Sequence, residues 1–136
     1  MILKDKNIVI TGGGQGLGLT MALSFAKSVE ATFKRINEDF NGIDGLVNNA
    51  GILRDGMFVK AKDGAVSKKM SLESFQSVID VNLTGVFLCG REATVHMIEA
   101  GKPGVIINMS SIARGGNMGQ TNYAATKSAL IGFSKS

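Results

Sequence analysis

Three short apolar runs, each followed by a helical pattern, constrain the fold of this chain more than any other feature. They cover residues 7–11, 43–47 and 105–109. Runs of this kind are typical of strands buried in a parallel sheet, and parallel neighbours need a helical crossover between them. The order therefore predicts an α/β fold, a Rossmann-like doubly wound parallel sheet with right-handed crossovers.

The helical patterns supply these crossovers. They cover residues 17–28, residues 32–40, residues 71–100 and the stretch that opens at Asn122 or Tyr123. Ser71 is predicted to cap the helix that follows it, and that pattern is disturbed at residues 82–85. Residues 60–69 are polar, which predicts a surface loop or a short hairpin.

Parts of the expected sheet are missing from this chain. A dinucleotide-binding fold has a second strand after its first helix, with an acidic residue about 20 positions beyond the glycines. Residues 30–36 have a helical pattern instead, and nothing resembling the last strands follows Ser136. We therefore expect one dinucleotide-binding catalytic domain over residues 1–136, incomplete in its second, third and C-terminal strands. A seam near residues 28–29 would mark unobserved chain and break the helix there.

A genuine deletion is the alternative at this seam. Apolar residues keep a spacing of three and four across it, so one continuous amphipathic helix is sterically allowed. These residues are Leu19, Ala22, Ala26, Val29, Phe33, Ile36 and Phe40.

The composition argues against several classes of site. The net charge of +4 is not concentrated in a long basic run, which favours a solvated surface over a nucleic-acid site. Cys89 and His96 are the only residues of their types, so the chain offers no internal disulfide and no obvious metal ligand set. No apolar stretch approaches membrane-spanning length. We expect a cytoplasmic protein with no metal, nucleic-acid or membrane partner.

Two loops at strand ends predict a cofactor site. Residues 11–18 read Thr-Gly-Gly-Gly-Gln-Gly-Leu-Gly between a strand and a helix, where backbone N–H groups can approach a pyrophosphate. Their spacing, Gly-x-x-x-Gly-x-Gly, departs from the strict Gly-x-Gly-x-x-Gly fingerprint. Residues 48–51 read Asn-Asn-Ala-Gly at the end of the next strand, where ligands of open α/β sheets bind. Such asparagines can also simply tie down a loop by hydrogen bonds.

The pair Tyr123 and Lys127 is the motif most directly tied to chemistry. Four residues apart on one helix, the phenol and the ammonium share a face. A phenol is normally too weak an acid to exchange protons near neutral pH, and a nearby ammonium stabilises its phenolate form. The pair is therefore a candidate general acid and base. Ser110 lies just past the third strand, where its hydroxyl could hold a substrate oxygen.

The glycine-rich loop, the Asn-Asn-Ala-Gly sequence, the serine at a strand end and the Tyr–Lys pair follow one another along the chain. Together they resemble the motifs of the short-chain dehydrogenase/reductase family, and the resemblance covers nearly the whole chain, from Lys6 to Ser136. Residues 119–136 are similar to the beta-ketoacyl-acyl-carrier-protein reductases of fatty acid biosynthesis, whereas residues 58–70 look longer and more polar than theirs. The resemblance implies an NAD(P)-dependent oxidoreductase that reduces a carbonyl to an alcohol by hydride transfer. It also implies a small-molecule or acyl-carrier-protein-bound carbonyl substrate, such as a 3-oxoacyl thioester, and a homo-oligomer, either dimer or tetramer.

The resemblance further implies a role for each site residue. Tyr123 protonates the carbonyl oxygen, and Ser110, rather than Ser111, orients that oxygen. Lys127 binds the nicotinamide ribose and tunes the phenol, while Asn82 holds a water that links Lys127 to solvent. The implied cofactor contacts are Gly12, Gln15, Gly16, Leu17, Gly18, Asn49, Ala50, Gly51, Tyr123 and Lys127.

Alternatives stay open for both the cofactor and the function. Gln15 offers no charge to the 2′-phosphate of NADP, which favours NAD, although the strand that would discriminate between the two is missing. The chain could instead be a short-chain dehydrogenase acting on another small alcohol or ketone, or a catalytically incomplete relative that binds the cofactor. The presence of Ser110, Tyr123 and Lys127 favours an active enzyme.

Overall fold

The computed structural model describes residues 3–12 and 22–136. The chain divides into two compact units, which we describe separately. The first unit is Met1–Ala50 with Gly85–Asn108, and the second is Gly51–Thr84 with Met109–Ser136.

The described helices and strands are as follows, in chain order: β1 (Ile8–Ile10), α1 (Ala22–Phe40), β2 (Gly45–Asn48), β3 (Val59–Lys62), β4 (Ala65–Lys69), α2 (Leu72–Ile79), a π-helix (Asp80–Thr84), α3 (Gly85–Glu99), β5 (Val105–Asn108), a 3₁₀-helix (Ile112–Gly115) and α4 (Thr121–Lys135).

A three-stranded parallel sheet forms the centre of the first unit. The strand order is β1-β2-β5, so β2 pairs with both of the others. Val9, Leu46 and Ile106 are register partners across the three strands. All three predicted strands are confirmed, and the α/β fold with parallel strands is a partial Rossmann-like sheet.

The core of the first unit lies on one face of this sheet. It joins Phe33 of α1, Leu46 of β2 and Ala93 of α3, all of them buried. Burying a side chain the size of Phe33 or Leu46 contributes roughly 1.5–3 kcal/mol. This apolar burial stabilises the packing of both helices on the sheet. The opposite face leaves apolar side chains exposed, as expected for an incomplete sheet: Ile8, Ile10, Val105 and Ile107.

The proposed seam near residues 28–29 falls within α1, which crosses this point as one helix. Thr32 Oγ1 donates a hydrogen bond of 2.7 Å to the carbonyl of Ser28, one helical turn away. Val29 and Phe33 are both buried in the core, so the apolar face continues through the seam. Burial of this continuous apolar face stabilises α1 as one long helix.

The polar residues 60–69 of the second unit form the short hairpin that was one of the two expectations. Strands β3 and β4 pair antiparallel, and every residue in them is exposed. Asp63 and Gly64 between the strands have positive φ angles of 52° and 78°. Positive φ at both central residues is the geometry of a type I′ turn, which an Asp-Gly pair favours.

The helices of the second unit begin and change type where the sequence indicated. Ser71 caps α2 as predicted, since its hydroxyl accepts a hydrogen bond of 3.1 Å from the N–H of Ser74. The disturbance predicted at residues 82–85 is the π-helix Asp80–Thr84. Short π-helices are frequent at functional sites, which directs attention to the residues within this one.

Cys89 lies in the core of the first unit. Burial, with a smaller contribution from Glu92, raises the pKa of its thiol to about 11, so the side chain stays neutral and packs as a small apolar group. Among the described residues, no helix is long and apolar enough to cross a membrane. The same residues contain no group of three or more His, Cys, Asp or Glu side chains that could hold a metal ion.

Candidate active site

In the first unit, Thr11 ties the end of β1 to the end of β2. Its Oγ1 accepts hydrogen bonds of 3.0 Å from the N–H groups of both Asn49 and Ala50. The side chain of Asn49 donates back to the carbonyl of Thr11 at 3.2 Å. Asn48, which is buried, donates to Asn108 Oδ1 at 2.9 Å. Both asparagines of the Asn-Asn-Ala-Gly motif therefore fix strand ends. This is the alternative in which such asparagines tie down a loop by hydrogen bonds.

Gly12 continues this edge in a conformation that favours glycine. Its φ angle is +90°, and a Cβ placed on it would lie 2.9 Å from the Cα of Ala50. No side chain fits there without moving backbone, so the two loops approach each other closely.

The remaining residues of the predicted pyrophosphate loop, 13–18, lie outside the described residues, and they include the predicted cofactor contacts Gln15, Gly16, Leu17 and Gly18. What is described of this edge fits a dinucleotide cofactor. Gly12 keeps the backbone free of side chains, and Asn48 Oδ1 is a buried acceptor with no hydrogen-bond partner in the described part of the chain. An unsatisfied polar atom at the carboxyl end of a parallel strand is consistent with a site that a ligand completes.

In the second unit, Tyr123 and Lys127 share a face of α4, as their spacing predicts. Lys127 Nζ lies 5.5 Å from the centroid of the Tyr123 ring. The lysine is 5% exposed and donates a hydrogen bond of 2.6 Å to the carbonyl of Met109. Burial lowers the pKa of Lys127 below its ordinary value of 10.5. One of its N–H donors is used, which leaves two for a ligand.

The structure separates the roles of two adjacent serines. Ser110 Oγ donates a hydrogen bond of 2.8 Å to the carbonyl of Lys127, so this serine faces α4. Ser111 Oγ instead accepts from the N–H of Ala113 at 3.1 Å and caps the 3₁₀-helix. The structure thus brings Ser110, and not Ser111, to the Tyr–Lys helix.

The π-helix holds Asn82 against the segment that follows the Asn-Asn-Ala sequence. Asn82 is fully buried; its Oδ1 accepts from Ile52 N at 2.8 Å, and its Nδ2 donates to Ile52 O at 3.0 Å. A Cβ on Gly51 would lie 3.5 Å from Asn82 Oδ1 and 3.9 Å from Lys127 Nζ. Asn82 and Lys127 therefore both border Gly51, and all four predicted catalytic residues belong to the second unit.

Asn122 is a buried site residue whose role the sequence analysis missed. Its Nδ2 donates to the carbonyls of Arg54 at 3.0 Å and Ser74 at 3.2 Å, and its Oδ1 accepts from the N–H of Tyr123 at 2.8 Å. It therefore fixes the start of α4 directly before Tyr123. Its position at a helix start was a signal for capping, but nothing in the local pattern indicated its partners.

Comparison with known proteins points to one family. The model of the short chain dehydrogenase family matches residues 26–136. The chain is 41% identical over 128 residues to the 3-oxoacyl-(acyl-carrier-protein) reductase of Synechocystis sp., covering 93% of this chain and 48% of that protein. It is 39% identical over 125 residues to the 3-oxoacyl-(acyl-carrier-protein) reductase FabG of Vibrio harveyi, covering 91% of this chain and 47% of that protein.

A further relative has a name that does not describe a reaction. Nodulation protein G of Rhizobium sp. is 44% identical over 115 residues, which cover 84% of this chain and 43% of that protein. The chain thus spans about half the length of the curated relatives that it matches.

Proposed function

The chain belongs to the short-chain dehydrogenase/reductase family, and on this premise we propose that it carries the active site of an NAD(P)-dependent reductase acting on 3-oxoacyl thioesters, with Tyr123 as general acid. The observation that carries the proposal is the buried Lys127 beside the Tyr123 ring. A surface Tyr–Lys pair would be fully hydrated. The ammonium of Lys127 is instead desolvated, and its hydrogen bond to the Met109 carbonyl fixes its orientation. A desolvated charge acts strongly on a neighbouring phenol.

In the proposed reaction, a reduced nicotinamide cofactor, when bound, supplies hydride to the carbonyl carbon. Tyr123 gives its phenolic proton to the carbonyl oxygen, so the C=O π bond breaks as a C–H and an O–H bond form. Lys127 stabilises the phenolate that remains, and its two unused N–H donors are available to the cofactor ribose. Asn82 holds Ile52, and thereby the backbone next to Gly51, through two hydrogen bonds.

Ser110 orients the substrate in this proposal. Its hydroxyl donates a hydrogen bond to the carbonyl of Lys127. A rotation of the hydroxyl would direct the same proton toward a substrate oxygen. The cost of this rotation is one hydrogen bond to a helix carbonyl. A donor held beside the catalytic helix polarises the carbonyl as negative charge develops on its oxygen.

The substrate class follows from the relatives, since two of those compared act, by name, on 3-oxoacyl groups carried by a carrier protein. Another small ketone or alcohol is the competing substrate class. A turnover assay of the full-length protein with acetoacetyl carrier protein and with simple ketones decides between the two.

The catalytic assignment is tested by Tyr123→Phe in the full-length protein. Loss of the general acid should lower kcat by about 10²–10⁴-fold while cofactor affinity stays close to wild type. Ser110→Ala should also lower kcat, whereas Ser111→Ala is the matched control and should retain it, because its hydroxyl only caps the 3₁₀-helix. Activity of Tyr123→Phe within threefold of wild type, which is roughly 0.7 kcal/mol of barrier, would contradict the assignment.

We propose NAD(H) as the preferred cofactor. Gln15 carries no charge that could pair with the 2′-phosphate of NADP. The ratio of kcat/KM for NADH to that for NADPH measures the preference directly, and a strong NADPH preference would reverse this proposal.

A further inference from the structure

We propose that a pocket at the base of the β3–β4 hairpin binds the phosphate group of a phosphopantetheine-linked substrate. The pocket has a volume of about 270 Å³ and is lined by Arg54, Lys68 and Lys69, together with the serines Ser71 and Ser74. We call it the basic pocket. The inference rests on the proposed function, because a thioester substrate is what brings a phosphopantetheine arm to this protein.

The charges of the basic pocket are not neutralised within the described part of the chain. Arg54, Lys68 and Lys69 take part in none of its ion pairs. Asp55, the carboxylate in the lining, accepts a hydrogen bond of 2.9 Å from Gln120 Nε2 instead. Ser71 Oγ already donates a hydrogen bond of 3.0 Å to Ser74 Oγ. The three cations therefore form the main donor set, and cations of this kind suit a phosphate, which accepts several charge-assisted hydrogen bonds at once.

The stability of the hairpin does not account for these lysines. Lys60 and Lys68 are direct cross-strand partners, and like charges in such pairs destabilise a sheet. Lysines can instead protect an exposed strand edge from pairing with other chains. That explanation predicts no effect on substrate binding, so the experiment below separates it from a phosphate site.

The basic pocket is anchored to the catalytic helix. Asn122 binds the carbonyl of Arg54, and Gly56 N donates a hydrogen bond of 2.8 Å to the carbonyl of Gly119. The segment of residues 51–56 thus starts beside Lys127 Nζ and ends in the pocket lining. Five residue steps span at most about 18 Å. The basic pocket therefore lies within reach of a flexible pantetheine arm whose thioester carbonyl is held near Lys127.

The test compares substrates that differ by one phosphate. Acetoacetyl thioesters of pantetheine, of 4′-phosphopantetheine and of the acyl carrier protein are assayed with the full-length protein. Lys68→Gln with Lys69→Gln removes two charges from the pocket lining. Lys60→Gln with Lys62→Gln is the matched control, since it removes two charges from the other strand of the same hairpin, outside the lining.

We expect the pocket variant to raise KM about tenfold for both phosphate-bearing thioesters, as two lost charge contacts imply. Its kcat, and its KM for the pantetheine thioester, should stay within twofold of wild type, and the control variant should match wild type throughout. An unchanged KM, an equal rise in the control variant, or an equal rise for the pantetheine thioester would overturn the proposal. A rise confined to the carrier-protein thioester would also overturn it, because the lysines would then contact the protein surface rather than the phosphate.

Failure of the proposed function is distinguished by direct titration with free 4′-phosphopantetheine. If no thioester is reduced, the proposed substrate class is wrong, and the binding constant alone decides about the pocket. Weaker binding to the pocket variant than to the control variant supports the phosphate site. Equal binding to both variants overturns it.

Discussion

The two units of this chain bury different kinds of side chain. The first unit has a continuous apolar cluster that contains Phe33, Leu46 and Ala93. The second unit buries Asn82, Asn122, Thr126 and Lys127 beside only a few apolar residues. Apolar packing depends mainly on volume, whereas buried polar groups must each find a partner with the right geometry. The first unit is therefore stabilised mainly by apolar packing, whereas the second unit fixes its buried polar side chains through specific hydrogen bonds.

This difference predicts which substitutions affect stability and which affect activity. Truncating an apolar side chain in the first unit should act through unfolding. Removing a buried polar group in the second unit should act through the reaction, with a smaller or even opposite effect on stability.

The largest stability effect should come from Phe33→Ala. Phe33 is 3% exposed in the core of the first unit, so its removal leaves a cavity and should lower the free energy of unfolding by about 3–5 kcal/mol. Phe40→Ala is the matched control, because Phe40 lies on the same helix and is 60% exposed. Urea titration of both variants measures the difference. Equal losses would mean that the apolar cluster does not dominate the stability of this unit.

Lys127→Met should separate stability from activity in the second unit. The side chain is buried, and in the described part of the chain no carboxylate pairs with it. A methionine fills a similar volume without a buried charge, so the free energy of unfolding at pH 7 should rise by about 1–2 kcal/mol while reduction is lost. A loss of more than about 2 kcal/mol would instead show that the Met109 hydrogen bond stabilises the fold strongly.

The same variant has a definite pH dependence. Burial lowers the pKa of Lys127 in the folded state below 10.5, so folding disfavours the protonated form. The stability advantage of Lys127→Met should therefore be complete below the folded pKa and disappear as the pH rises through 10.5. Urea titrations at pH 7 and above pH 10 check this, and a gap that widens with pH would contradict it.

The smallest effect should come from Asp44→Asn in the first unit. The carboxylate accepts from the N–H of Asn7 at 2.9 Å and from Lys6 Nζ at 3.0 Å, and these contacts, the backbone one first, lower its pKa below 3.8. The ionised group thus stabilises the fold above its unfolded pKa, and this contribution is lost as the pH falls through the folded pKa. Urea titration should give a slightly higher free energy of unfolding for wild type than for the variant at pH 7, and equal values at strongly acidic pH. A difference that persists in acid would mean that the charge is not its cause.

The sequence was sufficient to predict the three strands of the parallel sheet and the shared face of Tyr123 and Lys127, because both depend on local patterns. Apolar runs predicted β1, β2 and β5, and the four-residue spacing placed Tyr123 and Lys127 on one face of α4. The disturbance at residues 82–85 likewise predicted an irregular helix, which is the π-helix. Periodicity constrains where a side chain points on its own element, and these features need nothing more.

Other features depend on partners distant in the chain and could not be predicted. Asn122 binds the carbonyl of Arg54, which lies 68 residues away, and no local pattern specifies that pairing. The course of α1 likewise depends on tertiary packing. The missing strands favoured a seam near residues 28–29, whereas burial of Val29 and Phe33 in the core stabilises one helix across that point. The hairpin remained one of two options because polarity alone does not distinguish a loop from two exposed strands.

The order of strands in the sheet has a consequence for how the chain is made. Strand β2 lies between β1 and β5, and its Asn48 meets Asn108 only after 60 further residues. At about 5–20 residues per second, a ribosome needs roughly 3–12 s to supply that partner. During this interval one edge of β2 stays unpaired and open to strands of other chains. The yield of folded protein should therefore respond to translation speed and chain concentration, independently of how stable the finished sheet is.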